Sequence, residues 1–105
     1  MSQNSKTSTV TVLSPQGLHA RPAALLVKLI GSFKSSVFLQ KNAGERVDCR
    51  SILSLLTLGA EQGVELKVTV EGEDAAETLV AVEQLFSCGF HEVDSTPGTE
   101  QAVDS

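Results

Sequence analysis

Positively charged residues are scarce in this chain. It contains eight lysines and arginines against 13 aspartates and glutamates, which gives a formal net charge of −5 at pH 7. A surface that binds nucleic acid needs a clustered positive face, and the few basic residues here are scattered along the sequence. We therefore expect no direct contact with nucleic acid.

Cysteines are also few, since Cys49 and Cys88 are the only two. They have neither CxxC spacing nor neighbouring metal ligands, so we expect no metal site. Two reduced, partly buried thiols of a cytoplasmic protein are the expected state, although a single disulfide between them is also compatible with the sequence.

Long apolar runs and the patterns of common catalytic sites are absent. Residues 1–6 contain no apolar segment of the signal-peptide type, and no stretch reaches the length of a membrane span. The chain has no glycine-rich nucleotide loop, and no paired carboxylates or serine, histidine and aspartate set beside its candidate site, His19. We expect a cytoplasmic protein without cofactor or membrane contact that is not an enzyme by itself.

The apolar content, 41% of 105 residues, is enough for one small domain. We predict this domain over residues 8–90, between a flexible polar tail at 1–7 and a second tail at 91–105 with the composition of a disordered segment. Alternating and helical spacing of apolar residues predicts the elements. They are strand 8–14, helix 20–31, strands 35–41 and 45–48 around the turn 42–44, helix 50–57, strand 64–71, and a last helix opened by Asp74.

This order of elements predicts an α+β fold in which three helices cover one face of a four-stranded antiparallel sheet. Asp74 and Glu77 are spaced as in a capping box at the start of the last helix. The predicted core residues are Val10, Val12, Leu26, Ile30, Val37, Leu39, Leu55, Leu58, Val68, Leu79, Val82 and Phe86.

The segment 17–24, Gly-Leu-His-Ala-Arg-Pro-Ala-Ala, places His19 where a strand gives way to a helix. The first amides of a helix have no intrahelical acceptor and carry partial positive charge, so the amides of Ala20 and Arg21 can bind a phosphoryl group. The Arg21 guanidinium can hold phosphate oxygens in a fork, and Pro22 suits a first helical turn. Alternatively, His19 is a surface residue that only ends the loop or caps the helix.

Residues 17–23 resemble the active-site signature of the HPr family, the histidine-containing phosphocarriers of the bacterial phosphoenolpyruvate:sugar phosphotransferase system. Residues 50–59 resemble the family's second-helix motif, and residues 71–75 resemble its link between the last strand and the last helix. The resemblance implies an open-faced β-sandwich, βαββαβα, with strand order 1-4-2-3. It also implies that His19 accepts a phosphoryl group on Nδ1 from enzyme I and passes it to enzyme II A domains.

The first two helices carry more apolar residues than one buried face requires, which favours a docking surface for partner proteins. A small domain that tolerates surface leucines is the alternative. The resemblance supports docking, because related proteins meet enzyme I and the A domains through these helices. The docking candidates are Ala24, Leu25, Lys28, Ile52, Leu53 and Leu56.

Ser51 precedes the second helix, where a hydroxyl caps the helix. The resemblance adds a second role, regulatory phosphorylation of Ser51 by an HPr kinase/phosphorylase. We expect a monomer that carries phosphate for sugar uptake and regulation. Two rivals remain: a regulatory interaction protein, of the nitrogen-related branch or related to a serine-phosphorylated corepressor, and a binding module without phosphoryl chemistry.

Overall fold

The strands and helices of the chain follow the predicted order. The computed structural model describes residues 4–91, so the predicted tail at 91–105 lies outside the described residues beyond His91. The elements are β1 Ser5–Thr11, α1 Ala20–Ile30, β2 Ser36–Lys41, β3 Arg46–Asp48, α2 Ile52–Leu56, β4 Glu65–Glu71 and α3 Ala75–Ser87, followed by a 3₁₀ turn at Gly89–His91.

All strand pairs are antiparallel, and the strand order is β1-β4-β2-β3. Leu66, Val68 and Val70 of β4 are fully buried. These alternating residues of β4 therefore point toward the helices, while the opposite face of the sheet is polar except for Phe38, whose ring lies under the Arg46 guanidinium. The predicted open-faced sandwich and its strand order are confirmed.

The first strand begins three residues earlier than the sequence pattern predicts. Residues 5–7, assigned by their polarity to a tail, pair with Thr69–Glu71 of β4, whereas residues 12–14 lie beyond the strand. β1 is an edge strand, so its first residues can remain exposed to solvent. They are held by backbone hydrogen bonds to β4, which do not depend on the side chains. Polar side chains therefore do not end β1.

The predicted core is buried with the exception of Leu79, which is only half-buried. Thr78 occupies the inward position of α3 instead, because its hydroxyl donates to the backbone oxygen of Asp74 at 2.7 Å and so needs no water. Phe90 packs edge-on against Phe86, with ring centroids 4.7 Å apart, and adds a large buried side chain that the sequence analysis did not include.

The predicted capping box at Asp74 and Glu77 is wrong. Asp74 is the residue before α3, but its side chain makes no capping hydrogen bond. Its carboxylate instead accepts hydrogen bonds from the Lys34 amide at 2.9 Å, from the Ser35 amide at 2.9 Å and from the Ser35 hydroxyl. The carboxylate thus joins the start of α3 to the segment that follows α1.

These hydrogen bonds lower the pKa of the Asp74 carboxyl, the Lys34 amide contributing most and the Ser35 hydroxyl next. A carboxylate whose pKa is lowered in the folded state stabilises the fold above its unfolded pKa, about 3.9, and loses this contribution as the pH falls through the folded pKa. We expect Asp74→Asn to reduce stability near neutral pH and to flatten the loss of stability below about pH 4. Urea unfolding across this pH range measures both effects.

Glu73→Gln is the matched control, because Glu73 pairs with Lys34 at 3.1 Å through two exposed side chains. Exposed ion pairs add little, so this neighbouring change should leave the pH profile as it is. An Asp74→Asn variant with the wild-type acid profile would contradict the assignment.

Candidate functional site

His19 lies at the N-terminus of α1, in the N-cap position. Its backbone is extended, with φ −91° and ψ −166°, and its carbonyl oxygen accepts the amide of Ala23 at 3.0 Å. The side chain is half-buried and makes no capping hydrogen bond to the helix. The backbone of His19 therefore caps α1, and the imidazole is not used for that purpose.

The loop that carries His19 is held against the turn before β4. The amide of Leu18 donates to the carbonyl oxygen of Ala60 at 2.8 Å, and the Leu18 side chain is buried. Gly17 has a φ of +75°, and a Cβ on it would overlap the Ala60 carbonyl oxygen and lie 3.0 Å from the Cα of Glu61. Only glycine allows the two backbones to come this close.

The first turn of α1 presents donors beside His19. Ala20 and Arg21 are helical, Pro22 has no N–H, and within residues 4–91 no acceptor is found for the amides of Ala20 and Arg21. The Arg21 side chain is exposed and forms no ion pair with another residue in this range. The two amides and the guanidinium can therefore donate hydrogen bonds to an anion bound near the imidazole.

Ser51 caps α2, as predicted. Its hydroxyl oxygen accepts the amide of Ser54 at 3.1 Å. The preceding residue, Arg50, bonds to other groups: its guanidinium donates to the Ser36 hydroxyl at 3.2 Å and its amide to the Asp48 carboxylate at 2.9 Å. The regulatory role of Ser51 remains a prediction.

The predicted docking residues lie on two neighbouring helices. On α2, Leu53 is 76% exposed, Leu56 38% and Ile52 37%. On α1, which packs beside α2, Ala24 and Lys28 are exposed and Leu25 is half-buried. We call these six residues the α1–α2 face. Neither helix contains an acidic residue, so the charges on the helices themselves are those of Arg21 and Lys28.

The two cysteines form no disulfide. Cys49 is buried, and burial raises the pKa of its thiol, with a smaller contribution from the charge of Asp48. Cys88 is half-buried, and its Sγ lies 3.3 Å from the carbonyl oxygen of Leu85. Across residues 4–91 no cluster of metal-ligating side chains occurs, and no helix in that range is long and apolar enough to cross a membrane.

Sequence reasoning predicted that His19 and Arg21 lie at the start of α1, where the structure places them, but it missed the contact that holds this loop in position. Ala60 lies 41 residues from His19 in the chain and belongs to an ordinary loop, so nothing local marks it as a support. The only available signal was Gly17, since a glycine before a functional segment is compatible with a positive φ or a close backbone approach.

Comparison with known proteins agrees with this geometry. A family model described as "PTS HPr component phosphorylation site" matches residues 6–87. The chain belongs to the HPr family. This match runs from the second residue of β1 to the last residue of α3, so the HPr family accounts for the fold as a whole and not only for the segment around His19.

Individual members of the HPr family are similar over most of their length. The phosphocarrier protein HPr of Treponema pallidum is 42% identical over 84 residues, which cover 80% of this chain and 94% of that protein. The phosphocarrier protein NPr of Escherichia coli is 36% identical over 84 residues, covering 80% and 93%. A crystal structure of HPr from Thermoanaerobacter tengcongensis has a TM-score of 0.77 at 34% identity, covering 83% and 97%. The chain is therefore an HPr- or NPr-type phosphocarrier of the phosphotransferase system.

The close approach at Gly17 leads to a stability prediction. Gly17→Ala should lower the free energy of unfolding by roughly 2–4 kcal/mol, because left-handed backbone strain is added to overlap with Ala60. Gly63→Ala is the matched control, since Gly63 also has a positive φ, +91°, but a Cβ there meets nothing within 4 Å. The control should lose only about 1–2 kcal/mol.

Chemical denaturation of both variants measures the difference. A loss at Gly17 no greater than that at Gly63 would show that the backbone of the His19 loop does not need this contact.

Proposed function

We propose that His19 is the phosphoryl acceptor of this phosphocarrier. The observation that carries the proposal is the imidazole at the N-terminus of α1, beside the exposed Arg21 guanidinium and two amides without an acceptor in the described part of the chain. A phosphoryl group on the ring would lie where the helix end and Arg21 both favour negative charge.

Transfer then occurs in two balanced steps. The unprotonated Nδ1 of His19 attacks the phosphorus of a phosphohistidine on the donor, and the bond to the donor's ring nitrogen breaks, with its electron pair returning to that nitrogen. In the second step a histidine of the acceptor attacks, and His19 leaves as the free imidazole. The Ala20 and Arg21 amides and the Arg21 guanidinium steady the charge in between.

We propose enzyme I as the donor and enzyme II A domains as acceptors, each meeting a single copy of the chain on the α1–α2 face. This face places exposed apolar side chains beside His19 without any acidic side chain on either helix. The carrier has to leave each partner quickly, so a modest apolar patch suits the task better than a large one. Partners then supply whatever else the reaction requires.

Ser51 is proposed as a regulatory site for an HPr kinase/phosphorylase. A phosphate there would add a charge of about −2 at the N-terminus of α2, immediately before the apolar residues of the α1–α2 face. That charge would hinder acidic partners from docking. Phosphorylation would also modify the hydroxyl oxygen that now caps α2 by accepting the Ser54 amide.

A regulatory role in the nitrogen-related branch is the second candidate, and the similarity to the NPr of Escherichia coli favours it. His19 would carry phosphate in that case too, so the two candidates differ in their partners and not in the chemistry. The two roles are distinguished by which donor phosphorylates the chain faster, the enzyme I of the sugar branch or that of the nitrogen-related branch.

Incubation with phosphoenolpyruvate and the enzyme I of either branch should add one acid-labile phosphoryl group, and His19→Ala should abolish it. Arg21→Gln should lower the rate about 10²-fold, because one preorganised donor to a developing charge is lost. Intact mass, acid treatment and initial rates measure these effects.

His91→Ala is the matched control, because His91 is the only other histidine in the chain. It should be phosphorylated like the wild type. An acid-labile phosphoryl group that survives in His19→Ala, or no modification of the wild type by either active donor, would overturn the proposal.

Docking is tested at the most exposed leucine. Leu53→Glu should leave the free energy of unfolding within about 0.5 kcal/mol of the wild type, since the side chain is on the surface. It should lower kcat/KM for enzyme I about tenfold, because an apolar anchor is replaced by a charge.

Val80→Glu is the control, because Val80 is 51% exposed but lies on α3, outside the α1–α2 face. Steady-state phosphorylation kinetics of the two variants give the comparison. Equal losses at both positions would show that transfer responds to added charge and not to the α1–α2 face.

A further inference from the structure

The outer edge of β1 has no neighbouring strand in the described part of the chain, since β1 lies first in the strand order. At the start of the strand, the Gly72 amide donates to the Asn4 carbonyl oxygen at 3.0 Å. At its end, the Val12 amide donates to the Val64 carbonyl oxygen at 2.9 Å. Residues of an antiparallel strand bond alternately to one side and to the other, so the even-numbered residues of β1 bond to β4.

The odd-numbered residues of β1 turn their backbone N–H and C=O groups to this free edge. No other group in residues 4–91 bonds to them. Edges of this kind pair readily with another strand unless proline, a bulge or several charges prevent it. β1 has no proline, its register with β4 is unbroken, and its single charged side chain is that of Lys6. The four residues that face the free edge are Ser5, Thr7, Thr9 and Thr11.

α3 packs on β1 and borders the free edge on the helix side. Glu83 and Ser87 of this helix line a groove along the strand. The Glu83 carboxylate accepts the Ser8 hydroxyl at 2.6 Å, and it forms no ion pair with a residue of the range 4–91. Val80, three residues before Glu83 and therefore next to it on the helix surface, is 51% exposed. A carboxylate without a cation and an exposed apolar side chain thus accompany the unpaired backbone.

A second copy of β1 fits this backbone edge. When two copies run antiparallel with Ser8 opposite the partner's Ser8, Thr7 pairs with the partner's Thr9. Ser5 then pairs with the partner's Thr11. All four residues that face the edge lie in hydrogen-bonded positions in this register, so none of their N–H and C=O groups remains unpaired. The strand is therefore complementary to itself about a two-fold axis.

The side chains are complementary in the same register. Val10 is buried and Ser8 bonds to α3, so the even-numbered side chains of β1 lie on the helix side. The partner's Lys6 then lies opposite Val10 and beside Glu83. Lys6 is exposed and forms no ion pair within residues 4–91, so each copy supplies the cation that the other lacks.

We propose that two copies of the chain join through β1, so that two four-stranded sheets become one continuous antiparallel sheet. The pairing lysine and glutamate form one ion pair on each side of the axis. One strand of seven residues and one side of a helix make a small interface, so the dimer is reversible, with a Kd in the micromolar range. A reversible dimer replaces the monomer expected from the sequence.

The dimer leaves the α1–α2 face uncovered. α2 packs beside β3, at the opposite edge of the sheet from β1 and α3. Because the two copies of β1 run antiparallel, the two His19 loops lie at opposite ends of the joined sheet. Each copy therefore meets its partner proteins separately, and one dimer presents two docking surfaces at once.

Charge reversal tests the contact on the full chain. Sedimentation velocity from micromolar to millimolar concentration should show a monomer–dimer equilibrium. Lys6→Glu and Glu83→Lys should each raise the Kd about tenfold or more, because like charges then meet across the axis. The two changes combined should restore the wild-type Kd. The single changes shift the net charge in opposite directions, so net charge cannot explain two losses.

A monomer at every concentration, or a double variant as weak as the single variants, would overturn the inference. Glu77→Lys is the matched control, because Glu77 is exposed on the same helix but lies on the side away from β1. It should dimerise like the wild type, and an equal loss there would also overturn the inference. His19→Ala should dimerise normally too, so failure of the dimer and failure of the proposed phosphoryl acceptor are separate results.

Amide hydrogen exchange locates the interface. The Thr7 and Thr9 amides should exchange about tenfold more slowly in the dimer, because they become hydrogen-bonded, whereas the Ser8 amide already bonds to β4 and should not change. Thr9→Pro removes one outward N–H without removing a bond to β4 and should abolish the dimer. A dimer in which the Thr7 and Thr9 amides exchange as in the monomer would have its contact elsewhere and would overturn the inference.

Discussion

The close contact between two loop backbones is the constraint on which the candidate site depends. The amide of Leu18 donates to the carbonyl of Ala60, and Gly17 allows this approach because it has no Cβ and adopts a positive φ. The contact joins the His19 loop to the turn before β4, which is one of the two inner strands of the sheet. The position of the imidazole is therefore set by the sheet through a backbone hydrogen bond.

The opposite end of α1 is held in a different way. Asp74, the residue before α3, accepts the amides of Lys34 and Ser35 in the segment between α1 and β2. With the loop before it and the segment after it both held by hydrogen bonds, α1 keeps its first turn in place. The exposed side chain of Arg21 thus extends from a backbone that is already held in place.

The site is open, which suits a carrier better than an enzyme. His19 is half-buried, Arg21 is exposed, and the leucines of α2 stand beside them on the surface. An enzyme holds its reacting groups in a closed, water-free cavity, whereas a carrier must present one group to different partners in turn. In the proposed function, His19 supplies the nucleophile, Arg21 supplies positive charge, and the open surface leaves room for a partner protein.

Much of this arrangement follows from the sequence by itself. Alternating and helical spacing predicted every strand and helix, because each must bury one apolar face, and the order of elements predicted the fold class. The segment from Gly17 to Ala23 predicted the candidate phosphate site, since the histidine, the arginine and the start of the helix lie close together in the chain. The Ser51 hydroxyl was predicted as a helix cap because Ser51 directly precedes α2 in the chain.

Only the tertiary structure decided what depends on distant parts of the chain. The start of β1 at Ser5 is set by the length of β4, and the inward position of Thr78 by its bond to the backbone of Asp74. The Asp74 carboxylate accepts the amides of Lys34 and Ser35 and the hydroxyl of Thr78, but no amide of its own helix, because packing brings the segment before β2 within hydrogen-bond distance of it. Local patterns specify what a residue can bind, and packing decides which partner is within reach.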